Sequence, residues 1–378
     1  MKNSNKCELR ERERERERKR KRKRKGEEEM KESELLKCQI QEWYPRFRRV
    51  SFTTNIHVLP ESFISFLLQD GLFLPRSSEA MPCRTTATCP ELQAEDYHHW
   101  KEEDEEDDEP AIPSFPELES KIKASIEQLG GSVIPKLNWS APADTAWISC
   151  SGSLKCRNFD EISLLLKASD TLSHDLCHAF DACEDKTRDR PPVFVLALKK
   201  WYDLRPEMEF RAFVRARYLV GISQREVTSF YPSLLETEEY YGSLIADFFV
   251  DSLCEQFELE NYAFDCYVTK DGKVKLMDFN TWGGSTLPLL YSWNELEEKH
   301  SALLENFEEN HNSKNISSFA MLRSCGYRVE VRIVKNEGLV QPSFRANSGV
   351  PIDLVNKGPG SAWEEFVQKL EEDVGHEG

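Results

Sequence analysis

Phe264-Asp265-Cys266-Tyr267-Val268-Thr269-Lys270-Asp271-Gly272-Lys273-Val274-Lys275-Leu276-Met277-Asp278-Phe279-Asn280 is the stretch that decides the fold. Two strand-like runs flank Asp271-Gly272, the strongest short-range cue for a two-residue hairpin turn. In that register Lys270 faces Lys273, and equal outward steps set Asp265 directly opposite Asp278. Strand side chains alternate, so Asn280 shares a face with Asp278. Like charges facing each other across a strand pair cost up to about 1 kcal/mol, and something should offset that cost. A hard divalent cation would: two carboxylates and an amide oxygen are ligands that Mg²⁺ takes when phosphates supply the rest. The alternative is a solvated strand end with a chance acidic pair.

Working outward, helix Glu236 to Glu255 leads into this hairpin, and Glu209 to Val214 with Leu219 to Gln224 reads as another hairpin before it. Glu209 and Arg211 lie on one face of their strand, where they could hold a metal-bridged phosphate or pair with each other. The unbroken apolar run from Val193 to Trp201 reads as a buried strand. It closes on Leu198-Lys199-Lys200-Trp201, which could present backbone groups to a base edge or simply end the strand. Ser132 to Lys136 is a short strand whose terminal Lys136 precedes the loop Asn138-Trp139-Ser140-Ala141-Pro142. An ammonium there can reach phosphate oxygens as a point charge, or sit exposed at a strand end. Ser114 with Glu117 suggests a capping box for a helix with Phe115, Leu118, Ile122, Ile126 and Leu129 on one face, stopped by Gly130-Gly131. Ala146-Trp147-Ile148 reads as a strand, Asp160 to Lys167 as a capped helix, and Phe63, Phe66 and Leu67 as a helical stripe ending near Gly71. Gly283-Gly284 could be a phosphate loop or a turn, and the turn is favoured because no helix with a free N-terminus clearly follows at the right place. Sheet, helix and more sheet in this order indicate an α+β fold.

The flanks do not build a core. Residues 1–37 form a charged arm in which Arg10 to Arg18 alternate Arg with Glu and Lys19 to Lys25 are consecutive bases, as in disordered tails. Residues 76–113 form a linker inside the body, with an unbroken acidic run from Glu102 to Glu109. The body proper spans 38–300, and 301–378 is a C-terminal extension, partly ordered. A formal net charge of −17 argues against nonspecific nucleic-acid binding and favours a basic partner. No apolar run reaches the roughly 20 residues that cross a bilayer. The 11 cysteines are odd in number and lack CxxC spacing, which indicates reduced thiols. A soluble, cytoplasmic monomer is expected.

Taken in order, Gly130 to Lys136, Val195 to Trp201, Glu209 to Val214, and Asp265 with Asp278-Phe279-Asn280 resemble the ATP-grasp pattern, two lobes with a nucleotide cleft between antiparallel sheets. More narrowly, Pro135 to Pro142, Ser153-Leu154-Lys155-Cys156, Glu209-Phe210-Arg211, Gly221 to Arg225 and Asp278-Phe279-Asn280 are similar to the cell division cycle protein 123 family. That family is an assembly chaperone for eukaryotic translation initiation factor 2 that binds its gamma subunit. The resemblance implies that Lys136, Lys199, Lys200, Trp201, Glu209, Arg211 and Gln224 hold ATP, while Asp265, Asp278 and Asn280 hold Mg²⁺ and complete the nucleotide site. The competing reading is an ATP-grasp carboxylate–amine ligase. Such ligases carry a basic residue soon after the asparagine, and Thr281 to Pro288 contains none. A protein kinase, suggested by Asp278-Phe279-Asn280 alone, is excluded because no His-Arg-Asp loop or glycine-rich nucleotide loop precedes it.

Overall fold

The computed structural model describes residues 30–76, 113–311 and 326–337. The Arg/Glu and poly-basic parts of the arm, the acidic run and most of the C-terminal extension lie outside them. Two sheets organise the body. Strands β1 (Thr54–Val58), β2 (Val133–Lys136) and β3 (Val195–Lys200) form an antiparallel sheet in the order β1-β3-β2. Strands β4 (Glu209–Arg215), β5 (Tyr218–Gln224), β6 (Tyr262–Val268) and β7 (Val274–Thr281) form the second, ordered β7-β6-β4-β5-β8, where the short β8 (Val331–Arg332) runs parallel to β5. Both hairpins expected from the sequence are present, within an α+β architecture of two lobes.

Alternation divides each sheet. On β3, Leu196 and Leu198 enter a core with helices α3 (Glu61–Leu68), α4 (Pro116–Gln128), α5 (Phe159–Lys167) and α6 (Asp170–Cys177). Phe63 is fully buried at its centre, a contribution of about 2–3 kcal/mol. Val195 and Ala197 point the other way, into a second core shared with the larger sheet through Phe210, Ala212, Tyr262, Phe264 and Phe279. Helix α2 (Ile40–Phe47) joins the lobes there, its Trp43 ring edge-on to Phe279 at 5.5 Å. Helix α7 (Glu238–Phe248) covers this face and continues as one π-helical stretch, Phe249–Leu253, within the expected helix. Helix α8 (Trp293–His311) packs on the opposite face, where Leu296 joins Phe213 and Val220.

Three expectations need correction. Ala146-Trp147-Ile148 belongs to a 3₁₀ segment, Ala143–Ile148, held by the Thr145 hydroxyl donating to Pro142 O at 2.8 Å. The cap of α4 is Phe115 without a side-chain bond, because Ser114 Oγ instead donates to Arg76 O at 3.2 Å across the base of the acidic linker. Residues 30–37, assigned above to the arm, are part of the body as helix α1 (Glu32–Lys37) and the residues before it. Met30 and Leu35 pack with Phe180 and Cys183, and buried Glu32 accepts from Thr187 N at 2.7 Å, Thr187 Oγ1 at 2.9 Å and Arg188 N at 3.0 Å. Composition hid this, because the anchors are single residues in a charged run.

Candidate functional site

The β6–β7 hairpin brings Asp265 opposite Asp278, as its sequence suggests, but by a different route. The loop closes between Thr269 and Lys273, with Thr269 N donating to Lys273 O at 2.8 Å, so it is one residue longer than a two-residue turn. Gly272 takes φ +74° there, a left-handed conformation that glycine adopts freely. Register near the turn is therefore shifted, pairing Val268 with Val274 and Cys266 with Leu276. A bulge at Met277 then restores the Asp265–Asp278 pair. Such an extra residue has no cross-strand partner, and the Met277 carbonyl accepts from Lys199 Nζ at 2.7 Å.

Charged groups from both sheets meet around these carboxylates. Buried Asp265 receives Arg211 Nε at 2.7 Å and Nη2 at 2.9 Å, Arg225 Nε at 3.1 Å, and Asn280 Nδ2 at 3.4 Å. Arg211 stands directly across from it on β4, which explains the bidentate grip. Burial by itself would raise the Asp265 carboxyl, but Arg211 and Arg225 outweigh it and hold it well below the usual carboxylate range. Arg225 also donates from Nη1 to Glu209 at 3.2 Å, and Glu209 is raised by burial against the pull of that same guanidinium. Glu209 and Arg211 thus pair with other partners and not with each other. From the smaller sheet, buried Lys136 donates to Asp278 Oδ2 and to Trp139 O. Burial pushes the Lys199 ammonium down to about 8, partly opposed by Asp278. The loop after Lys136 is pinned by Asn138, whose side chain donates to Val193 O and accepts from Val195 N, and by Trp139 Nε1 donating to Leu35 O at 2.9 Å. The carboxylate repulsion inferred from the hairpin is therefore offset by the protein's own cations.

Seven of the anticipated residues converge: Lys136, Lys199, Glu209, Arg211, Asp265, Asp278 and Asn280. The side chains of the other three lie elsewhere. Lys200 points to the opposite face of β3 from Lys199 and lies over the Tyr202 ring at 5.7 Å. Trp201 sits under Lys155 Nζ at 5.6 Å. The backbone N–H of Lys200 is taken by Thr53 O and that of Trp201 by Ser132 O. Gln224, fully buried, spends its amide on the backbone: Nε2 donates to Glu226 O and Ser229 O, and Oε1 accepts from Val334 N.

Two participants were missed. Arg225 lies within a quoted motif but received no role. Asp175 occupies the buried face of α6 with Leu172 and Leu176, a carboxylate at a core position that helical spacing alone would reveal. Burial pushes Asp175 up to about 6, opposed by hydrogen bonds from Ser140 and by the Lys136 charge. Its Oδ2 has no hydrogen-bond partner among the described residues.

Two carboxylates and an amide on neighbouring strands are hard oxygen donors of the kind Mg²⁺ accepts, and the four cations of the cluster suit a polyphosphate. These residues fit a magnesium nucleotide. No helix among the described residues is long and apolar enough to cross a membrane.

Comparison with known proteins shows the family. The chain is 35% identical over 342 residues to the translation initiation factor eIF2 assembly protein of Xenopus tropicalis, covering 90% of this chain and 96% of that one. It is 33% identical over 355 residues to the protein of the same name from Dictyostelium discoideum, covering 86% and 92%. The solved structure of Cdc123 from Schizosaccharomyces pombe superposes with a TM-score of 0.60 at 30% identity, covering 81% of this chain and 99% of that one. Residues 43–357 match the D123 family model, and the chain belongs to the D123 family.

Proposed function

We propose that this protein is an assembly factor for eukaryotic translation initiation factor 2, working in the cytoplasm as a monomer that binds ATP with Mg²⁺ and docks on the gamma subunit. The observation that carries the nucleotide reading is the convergence of Asp265, Asp278 and Asn280 with Lys136, Lys199, Arg211 and Arg225 at the junction of two sheets. Relatives named for eIF2 assembly, aligned over nearly their full length, support the assembly role.

In this reading Lys136 and Lys199 orient the phosphates from the smaller lobe, while Asp265, Asp278 and Asn280 hold the metal on the larger one. When bound, Mg²⁺ neutralises phosphate charge and links the nucleotide to the carboxylates. A ligand that engages both lobes favours the arrangement in which they are closed together, and a partner that recognises this arrangement binds more tightly in its presence. The net charge of −17 suits a basic protein surface, where complementarity acts mostly on association rate and specificity.

The test is a titration calorimetry measurement of Mg²⁺-ATP binding to the wild type and to Asp278→Asn, paired with capture of purified gamma subunit. Asp278→Asn should lose Mg²⁺-dependent affinity while circular dichroism stays unchanged, and the wild type should retain the gamma subunit. Unaltered ATP affinity in the variant would refute the metal assignment. Failure to capture the gamma subunit with or without Mg²⁺-ATP would refute the assembly role.

A further inference from the structure

The ion pairs in the cluster leave a metal ion arriving alone without an uncompensated carboxylate among Asp265 and Asp278. Asp265 already accepts from two guanidinium groups, and Asp278 from the Lys136 ammonium. Arg211 and Arg225 together balance Asp265 and Glu209, and Lys136 balances Asp278. A dication placed against Asp265 would stand beside two arginines in a largely buried site, where like charges repel strongly. A polyphosphate arriving with the metal changes the exchange, because its oxygens take the cations and release the carboxylates.

The two arginines are not equivalent in this exchange. Arg211 is nine-tenths buried, holds Asp265 with two N–H groups and is tied by a third to Leu287 O at 3.0 Å. Arg225 lies at the end of β5 with its side chain 43% exposed, and gives one N–H to Asp265 and another to Glu209. Leaving Asp265 breaks one bond to that carboxylate, and part of the side chain already meets solvent.

Building on the magnesium–nucleotide reading, we propose that Arg225 is a positioning residue that makes metal entry conditional on nucleotide. It holds Asp265 in the empty protein and transfers to a phosphate when nucleotide binds. Metal and nucleotide then bind as a coupled pair, and the metal alone is refused.

Equilibrium dialysis of the full chain against Mn²⁺, with and without a non-hydrolysable ATP analogue at matched free Mn²⁺, tests this. The wild type should hold Mn²⁺ at least about tenfold more tightly with the analogue, within the usual range of coupling between sites. Arg225→Gln should bind Mn²⁺ without nucleotide more tightly than the wild type does, narrowing that ratio, whereas Arg225→Lys keeps the positive charge and should preserve it. Equal Mn²⁺ binding by the wild type with and without the analogue would overturn the proposal while leaving the metal site standing. An unchanged nucleotide-free affinity in a folded Arg225→Gln would also overturn it. Absence of retained Mn²⁺ under every condition would instead refute the metal assignment on which it rests.

Discussion

Asp175→Asn should stabilise the protein at neutral pH, and the gain should appear between pH 4 and 6. Burial raises the Asp175 carboxyl to about 6, against about 3.9 for an unperturbed aspartate. Between those values the folded state binds the proton more tightly than the unfolded state, so stability falls as pH rises through this window and is constant above it. Two units correspond to about 3 kcal/mol at most. The amide keeps an acceptor for Ser140 but places a donor where Oδ2 has no partner among the described residues, which returns about 1–2 kcal/mol. The expected net gain at pH 7 is about 1–2 kcal/mol. Urea unfolding of both proteins at pH 4, 5, 6 and 7, followed by tryptophan fluorescence and circular dichroism together, measures it. Only the difference between variant and wild type is needed, so titrations common to both, such as that of Asp265 at lower pH, cancel. A flat difference across the window, or a wild type that gains on the variant as pH rises, would refute the reasoning.

Arg211→Ala should cost about 3–5 kcal/mol in urea unfolding, because it leaves Asp265 buried with only part of its compensation; a loss below about 1 kcal/mol would mean that Arg225 alone satisfies the carboxylate. Glu32→Ala should lower the melting temperature by releasing Thr187 and Arg188 from their buried acceptor. Deleting residues 1–37 should do so further, since Met30 and Leu35 leave as well. Unchanged melting after that deletion would show that this segment does not hold the body together.

The sequence by itself was enough for the α+β class, both hairpins and the family. These follow from local signals: alternation, apolar runs, turn residues and short motifs act within a few positions of one another. It also put Asp265 opposite Asp278, although the loop and the bulge each shift the register by one and cancel. That cancellation is tertiary, since the extra residue Met277 gives its carbonyl to Lys199 on another sheet. The partners of the carboxylates were likewise beyond reach, because Arg225 and Lys136 meet Asp265 and Asp278 only when separate strands pack, and a formal charge in sequence has no address in space. Gln224 and Lys200 carry side chains able to bind a nucleotide, but a buried strand end and the opposite face of β3 direct them elsewhere. Whether residues 30–37 fold was decided by pockets around Phe180 and Thr187, more than 140 positions away in the chain, which fit one methionine, one glutamate and one leucine.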